Sequence, residues 1–310
     1  GDIYKQTNGT GDFVALSQES RQWQGMTTLG SDVYACVFDG DIYKQTGGTG
    51  DFVALSQTKQ NWIGMTTLGS DVYACVYDGD IYKQTNGTGD FVALSQTKQN
   101  WHAMTTLGSD VYACVFGGDI YKQTNGTGNF VALSQTTRNW RGMTTLGSDV
   151  YACVFDGDIY KQTNGTGNFV PLSQESRQWV GMTTLGSDVY ASVFDGDIYK
   201  QTGGTGDFVA LSQTSRQWQA MTTLGSDVYA CVFGGDIYKQ TGGKGNFVAL
   251  SQTSRGWHGI TTLNDSLYAS VGSGSIYKHS PVKALEVYST AETLTNQTFL
   301  GYPVYRKVID

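Results

Sequence analysis

The chain of 310 residues has little charge, little proline and no long apolar run. Charged residues make up only 15% and aromatic residues 13%, a composition that excludes an intrinsically disordered chain. Glycine is frequent but has no three-residue period, which excludes collagen. Because no apolar run approaches the ~20 residues that cross a bilayer, we expect no membrane-spanning helix. No basic start leads into an apolar stretch, so we expect any signal peptide to be absent or already removed.

Positive charge is also scarce. Lysine and arginine number 20 against 27 aspartates and glutamates, which gives a net charge of −7. A protein that binds the phosphate backbone of DNA or RNA needs a basic stripe, and this sequence has none. We therefore expect no nucleic-acid partner.

Cysteine occurs five times, an odd number, and always at the same position of an internal repeat. Ser192 and Ser270 occupy this position in the two remaining copies. A disulfide framework would not lose two members in this way, so the pattern predicts a small buried residue that can be cysteine or serine. The redox compartment stays open. The cysteines are Cys36, Cys75, Cys114, Cys153 and Cys231.

A unit of 39 residues is repeated seven times over residues 1–273. A fixed period near 40 residues is typical of solenoids, propellers and other arrays. The first unit has four runs rich in β-branched and aromatic residues, DIYKQ, DFVALS, WQGMTTL and DVYACVF, with short turn sequences between most of them. DVYACVF is apolar on both alternating faces, so we expect it to be covered on both sides. The pattern predicts an all-β fold, a seven-bladed β-propeller of four-stranded blades.

The closure of the ring is a separate question. The IYK strand occurs eight times but the tryptophan strand only seven times. We expect residues 2–17 to complete the blade that residues 257–272 begin, because this removes two open sheet edges. The competing assignment gives that place to Gly274–His279. The alternative to a closed ring is an open β-solenoid, which would expose apolar end faces unless capped.

In each unit a tryptophan is followed by GMTTLGSD, VYACV and GDIYKQ, with small variations. This order of motifs resembles the blade pattern of tectonin-type propellers, a lectin-related group, and the resemblance covers residues 1–273. It implies that the tryptophan strand is innermost and DVYACV second. DIYKQ would then be third and FVALS outermost.

The units differ mainly beside the tryptophan. The position directly after it accepts amide, imidazole, guanidinium and aliphatic side chains, so we place it outside the core, at the edge of the ring face. It is either an unconstrained surface site or a diversified contact ring. A contact ring beside aromatic residues suits sugars, whose apolar faces stack on rings while their hydroxyls meet polar groups. The variable residues are Gln24, Ile63, His102, Arg141, Val180, Gln219 and His258.

Two further sets of residues complete the candidate ligand site. The tryptophans would form an aromatic platform, with packing between blades as the alternative; they are Trp23, Trp62, Trp101, Trp140, Trp179, Trp218 and Trp257. Arginines stand two residues before five of them and would offer guanidinium groups; they are Arg21, Arg138, Arg177, Arg216 and Arg255.

The motifs predict no metal, no cofactor and no catalytic residue. Each Asp-Gly-Asp motif, such as Asp39–Asp41, has only two aspartates, whereas a calcium ion binds roughly six to eight oxygen atoms. We therefore interpret these aspartates as turn residues. His102, His258 and His279 have no second ligand at metal spacing. A catalytic centre needs one asymmetric site, whereas near-identical blades repeat the same groups. We therefore predict multivalent binding and no enzyme.

The period breaks after residue 273, and residues 274–310 are predicted to be a separate C-terminal extension with β structure. The stretch contains YST, an acidic residue, an aromatic residue, Gly-x-Pro and YRKVID. These features resemble a module near the ends of phage tail-fibre and other phage structural proteins, with Phe299 in place of the usual tryptophan. An unrelated β-hairpin is the alternative. The candidates for docking to another virion protein are Tyr302, Tyr305, Arg306 and Lys307.

Together these patterns predict a virion-associated adhesion or structural protein, located on the virion or outside the cell. Its propeller would bind a glycan or receptor of the host surface, and residues 280–310 would contact other virion proteins, with no membrane insertion. The alternatives are a free lectin-like recognition protein and a purely structural decoration or filament subunit.

Overall fold

The computed structural model describes residues 2–272 with their side chains, and residues 293–299 and 302–306 by their backbone. The chain divides into two compact units, Gly1–Tyr277 and Lys278–Asp310. The predicted boundary after residue 273 and the eighth IYK copy both lie outside the described residues.

Within residues 2–272, strand pairing forms four-stranded antiparallel sheets, one for each copy of the repeat. We call these sheets blades 1 to 7, in the order of their tryptophans. In each blade the first strand carries the tryptophan and pairs with the second strand. The first strands are Trp23–Leu29, Trp62–Leu68, Gln99–Leu107, Arg138–Leu146, Arg177–Leu185, Arg216–Leu224 and Arg255–Leu263.

The centre of the second strand is mostly apolar and buried, Val33 to Val37 in blade 1. A strand that is buried on both faces lies between two neighbouring layers, as the sequence predicts. The second strands are Asp32–Val37, Asp71–Gly79, Asp110–Gly118, Asp149–Gly157, Asp188–Gly196, Asp227–Gly235 and Ser266–Val271.

The third and fourth strands complete each blade, and a short 3-10 turn joins them in blades 1 to 6. The third strands are Ile42–Gln45, Ile81–Gln84, Ile120–Gln123, Ile159–Gln162, Ile198–Gln201, Ile237–Gln240 and Ile3–Thr7. The fourth strands are Val53–Ala54, Val92–Ala93, Val131–Ala132, Val170–Pro171, Val209–Ala210, Val248–Ala249 and Val14–Ala15. The 3-10 turns are Thr46–Gly48, Thr85–Gly87, Thr124–Gly126, Thr163–Gly165, Thr202–Gly204 and Thr241–Gly243.

Blade 7 is built from both ends of residues 2–272. Ile3–Thr7 pairs with Ser266–Val271, and Val14–Ala15 pairs with Ile3–Thr7 in turn. Each first strand contacts the first strand of the next blade, and that of blade 7 contacts that of blade 1. The predicted closure by residues 2–17 is confirmed, and the open solenoid is excluded.

The core lies between neighbouring blades. Trp62 of blade 2 packs edge-to-face on Tyr82, with ring centroids 4.8 Å apart, and also contacts Phe91. Tyr34 and Cys36 of blade 1 belong to the same buried cluster. Each blade therefore covers the apolar face of the next.

Polar contacts lock neighbouring blades together at the hairpin end of the first two strands. The Tyr73 hydroxyl and the Lys83 ammonium of blade 2 each donate a hydrogen bond to the Gly126 carbonyl of blade 3, both at 3.1 Å. Lys83 also pairs with Asp71 at 2.6 Å. The same tyrosine and lysine bonds hold the 3-10 turns of all six blades that have one, so each of these turns is fixed by the preceding blade.

The second unit contains a two-stranded antiparallel sheet. Its strands are Thr293–Phe299 and Tyr302–Arg306, with Phe299 opposite Tyr302. This confirms the predicted short β extension. The docking role of Tyr302, Tyr305 and Arg306 stays a prediction, and Lys307 lies outside the described residues.

In the described part of the chain, no helix is long and apolar enough to cross a membrane.

Candidate axial ligand site

Every first strand has an irregularity directly after its tryptophan. In blade 2, Trp62 pairs with Val76 and Gly64 pairs with Cys75, so Ile63 has no ladder partner. Such bulges bend a strand and redirect side chains. The same register shift occurs in the other six blades. The variable residue of each repeat therefore does not take part in the β-strand pairing of its neighbours, and its side chain can change without disturbing that pairing.

The bulged segments surround an axial channel of about 230 Å³. Three successive residues of each first strand line it, and they form three sets: the variable residue, a glycine or alanine, and a methionine that is Ile260 in blade 7. The first set is the variable ring, Gln24, Ile63, His102, Arg141, Val180, Gln219 and His258.

The variable residues thus come together, although they stand 39 residues apart in sequence. Most are half-buried, and Val180 is buried. The predicted position at the edge of the ring face is wrong, because the first strands face the axis and carry these side chains into the channel. The innermost place of the tryptophan strand, which the resemblance implied, is confirmed by the same lining.

The tryptophans do not form an exposed platform. All seven are at most 1% exposed. Each packs on the tyrosine of its own third strand, as Trp23 does on Tyr43 with centroids 5.0 Å apart. The expectation that they stack on a ligand is wrong, because the neighbouring blade covers their face. The buried residues are Trp23, Trp62, Trp101, Trp140, Trp179, Trp218 and Trp257.

The five candidate arginines do not line the channel either. The guanidinium carbon of Arg138 lies 4.8 Å from the ring centroid of Tyr160, in the third strand of its own blade. Gln60 and Gln99 take this place in blades 2 and 3 and donate hydrogen bonds to the tyrosine hydroxyls at 2.7 and 2.8 Å. The position therefore covers a tyrosine. The arginines that stack in this way are Arg21, Arg138, Arg177, Arg216 and Arg255.

An aromatic residue that the sequence reasoning overlooked stands beside the variable ring. It follows the second-strand valine that pairs with the tryptophan. Its recurrence directly after VYACV or VYASV was the signal in the sequence. The His102 ring is 6.2 Å from that of Phe116, and the Arg141 guanidinium carbon is 5.3 Å from the ring of Phe155. We call this set the aromatic collar: Phe38, Tyr77, Phe116, Phe155, Phe194 and Phe233.

Blade 7 interrupts the collar. Gly272 stands in the collar position, and a Cβ placed on it would lie 3.5 Å from the imidazole of His258. The collar position next to His258 therefore carries no side chain, so the aromatic collar is asymmetric, as the variable ring is.

Burial and the charge of Arg141 set the protonation states of the two histidines in the channel. Burial and, secondarily, the charge of Arg141 lower the pKa of His102 to about 3 and that of His258 to about 4, so both imidazoles are neutral at pH 7. His102 Nδ1 is 3.0 Å from the Arg141 carbonyl oxygen. Since a carbonyl only accepts, Nδ1 must carry the proton, and Nε2 is left as an acceptor.

Comparison with known proteins identifies the architecture. No protein-family model and no curated protein matches the sequence. Among solved structures, catalytically inactive virginiamycin B lyase from Staphylococcus aureus with quinupristin has a TM-score of 0.69 at 14% identity, over 86% of this chain and 99% of that one. YCF48 from Cyanidioschyzon merolae has a TM-score of 0.66 at 12% identity, over 86% and 98%. The β-propeller domain of Cps50 (Swd1) from Myceliophteria thermophila has a TM-score of 0.65 at 11% identity, over 86% and 98%.

The repeats form a β-propeller. At these identities the likeness shows the fold alone, and it confirms the β-propeller of repeated four-stranded blades that the sequence predicts.

Buried cysteines and serines of the second strands lie next to the first strands that line the channel, and the serines bond to the backbone of the variable residues. The Ser192 hydroxyl donates to the Gln219 carbonyl at 3.0 Å, and that of Ser270 to the Gln24 carbonyl at 3.3 Å. Burial raises the pKa of Cys36 to about 12, so its thiol is protonated and unreactive. The cysteines are free and fully buried, which confirms the predicted small buried position.

The aspartate pairs of the propeller turns have structural roles. Asp41 accepts hydrogen bonds from the backbone N–H groups of Ile42 and Gln57 at 2.7 and 2.8 Å. Asp39 has φ of 54°, and Gly117 has φ of 73° at the equivalent place in blade 3. This left-handed conformation explains why Asp and Gly alternate there. Among the described residues, no cluster of three or more His, Cys, Asp or Glu could hold a metal ion.

Proposed function

We propose that this protein is a non-enzymatic, lectin-like binding protein, a seven-bladed β-propeller that holds a glycan at its axial channel. The observation that supports this most strongly is the convergence of the variable residues. The repeats are nearly identical in their strands, and the position that varies most between them, directly after the tryptophan, forms one ring around one channel. We therefore propose one composite site and not seven equivalent ones. Each blade contributes one variable side chain to it.

The chemistry of the ring and collar supports a sugar ligand. Gln24 and Gln219 offer amide donors and acceptors, and His102 offers an acceptor nitrogen. The collar adds partly exposed aromatic rings, with Phe233 at 40% exposure. Apolar sugar faces stack on such rings while the hydroxyls bond to the polar groups. The neutral histidines and unreactive thiols support binding over catalysis.

The C-terminal segment supports a place on a virion. Its resemblance to phage tail-fibre modules favours docking to other virion proteins through residues 280–310, with the propeller directed to a host-surface glycan. This is the virion-associated adhesion function, on the virion or outside the cell. A free lectin-like recognition protein would share the glycan site but not the docking.

A structural decoration or filament subunit is the second candidate, and one observation favours it. The fourth strand of every blade carries a valine at the outer edge, and six of the seven are at least 59% exposed. A strand edge presents unpaired backbone groups with which another chain can pair, and a valine on each edge would add apolar surface to such a contact. These residues are Val14, Val53, Val92, Val131, Val170, Val209 and Val248.

The test is a glycan-array screen of the full-length protein and two variants. We expect the wild type to bind a defined set of glycans and His102→Ala to weaken this by about tenfold, the loss of one hydrogen bond worth ~1.4 kcal/mol. Val53→Ala, at the outer edge, is the matched control and should bind as the wild type does. Thermal unfolding of His102→Ala should stay close to that of the wild type.

Two results would contradict the proposal. Failure of the wild type to bind any glycan at high protein density would leave the structural role as the better account. Equal losses of binding and stability in His102→Ala would show that the residue supports the fold and not the ligand.

A further inference from the structure

We propose that the ligand of the axial channel carries an anionic group, a carboxylate or a sulfate, and that the Arg141 guanidinium pairs with it. The inference rests on the proposed glycan-binding function of the channel. It narrows the ligand to an acidic sugar.

The first argument is the charge of the lining. Of the residues that line the channel, Arg141 is the one that is charged at neutral pH, and none is an aspartate or glutamate. The protein as a whole is acidic, with a net charge of −7. An isolated positive charge at the axis of an acidic propeller attracts an anion to this one place.

The second argument is the bonding of Arg141 itself. Among residues 2–272, its guanidinium has no carboxylate within ion-pair distance. The side chain is half-buried, and the guanidinium carbon lies 5.3 Å from the centroid of the Phe155 ring. A guanidinium beside an aromatic ring keeps its in-plane N–H donors, which match two oxygens of a carboxylate or sulfate.

Ten other cations of the propeller, unlike Arg141, have a carboxylate partner. Lys44 pairs with Asp32 at 2.7 Å, and the same pair occurs in blades 2 to 6. Arg177 pairs with Glu175. A partly desolvated cation without an anion is costly, and a ligand anion would offset this cost.

The third argument is the pattern of neighbours. His102 donates Nδ1–H to the Arg141 carbonyl and so keeps Nε2 as an acceptor for a hydroxyl. The amides of Gln24 and Gln219 line the same channel. One cation among neutral acceptors and amides fits a ligand with one anionic group and several hydroxyls. Two residues after each variable residue, the methionine set also lines the channel and offers the apolar part of the ligand a surface.

The experiment compares matched ligands by calorimetry on the full-length protein. The probes are an oligosaccharide with a terminal glucuronic acid, the same oligosaccharide with its carboxyl reduced to a hydroxymethyl, and a sulfated counterpart. We expect the wild type to bind the acidic sugar at least about tenfold more tightly than the reduced one, as one desolvated ion pair can provide. Comparison of the carboxylated and sulfated probes shows which anion is preferred.

The variants locate the effect. Arg141→Gln should remove the preference for the acidic sugar, and Arg141→Lys should keep part of it. Lys98→Gln removes an exposed positive charge outside the channel and should leave the preference unchanged. Loss of the preference in Lys98→Gln as well would overturn the assignment to Arg141, because only the overall charge would then matter.

The outcomes separate this inference from the proposed function. Equal binding of the acidic and reduced sugars, both weakened by His102→Ala, would overturn the anion and leave the glycan site intact. If no glycan on the array binds, titration of free glucuronate against the Arg141 Nε–H NMR signal still decides. A saturable shift that methyl glucoside, which has no carboxylate, does not cause supports the anion site, and no shift with glucuronate overturns it.

Discussion

The small residue after the variable position sets how closely neighbouring blades approach. A Cβ on Gly181 would lie 2.2 Å from the Gln219 carbonyl oxygen of the next blade, and on Gly64 it would lie 2.8 Å from that of His102. Ala103 and Ala220 occupy this position in blades 3 and 6. The ring therefore has five close approaches and two wider ones, and the glycines at the close ones have a steric reason.

We expect Gly181→Ala to destabilise the propeller by ~1–3 kcal/mol, since the added methyl must displace backbone and not a flexible side chain. Urea unfolding measures the change. Gly64→Ala should cost less because its contact is less severe, and the exposed Val53→Ala is the control without effect. Equal stability of Gly181→Ala and Gly64→Ala would contradict the steric reason.

For single residues, the sequence predicted backbone conformation and the burial of small side chains better than it predicted which side chains face the channel. The alternation of Asp39 with Gly117 follows from a left-handed backbone, which the residue types themselves indicate. The burial of Cys36 likewise follows from its exchange with serine. The sequence did not predict the burial of the tryptophans, because the neighbouring blade that covers them is brought there by tertiary contacts. The bulge that directs Ile63 into the channel likewise could not be predicted, because no particular residue type accompanies it.

Between elements, the 3-10 turn of each of blades 1 to 6 is held by a tyrosine and a lysine of the blade before it and by an aspartate of its own blade, as Tyr34, Lys44 and Asp71 hold the turn of blade 2. Burial raises the pKa of Asp71, but hydrogen bonds from Lys83 and the Asn86 N–H, together with the Lys83 charge, outweigh this and bring it below its usual value. Blade 7 lacks the aspartate: Ser266 stands there, and Lys5 is left with the Gly48 carbonyl at 2.9 Å.

We expect Ser266→Asp to stabilise the propeller by ~0.5–1 kcal/mol, because it restores the pair that six blades have. Ser266→Asn is the control for shape without charge. An aspartate whose pKa is lowered on folding stabilises above its unfolded value of 3.8 and loses this as pH falls through the folded pKa. Thermal unfolding should therefore show a larger gain at pH 7 than at pH 3. A gain of equal size with Ser266→Asn would assign it to packing.

For the whole molecule, the decisive contact is the one that joins the beginning of the propeller to its end. Tyr4 packs on Trp257 with ring centroids 5.0 Å apart, and its strand pairs with Ser266–Val271. Tyr43 makes the same contact with Trp23 inside blade 1, where consecutive chain holds the strands. The repeat count and the surplus IYK strand predicted this closure, because they depend on chain topology and not on side-chain packing.

We expect Tyr4→Ala to open the ring locally, and Tyr43→Ala to weaken blade 1 without opening it. Both remove a buried aromatic side chain, at ~3 kcal/mol or more. Native-state hydrogen exchange distinguishes them: amides of residues 266–271 should lose protection in Tyr4→Ala and keep it in Tyr43→Ala. Loss of protection at 266–271 in both variants would show that the blades unfold as one cooperative unit.

The bulge after each tryptophan has a consequence for how such a protein changes over generations. Apart from the four residues before each tryptophan, the stretches on either side of the variable residue are almost the same in every repeat. Recombination between repeats can therefore exchange, delete or reorder the variable residues without altering a core contact. Point mutation alone would test one new side chain at a time, whereas shuffling of whole repeats produces new circular orders of side chains already compatible with the fold. The ligand preference of this ring can thus drift quickly while its architecture stays fixed.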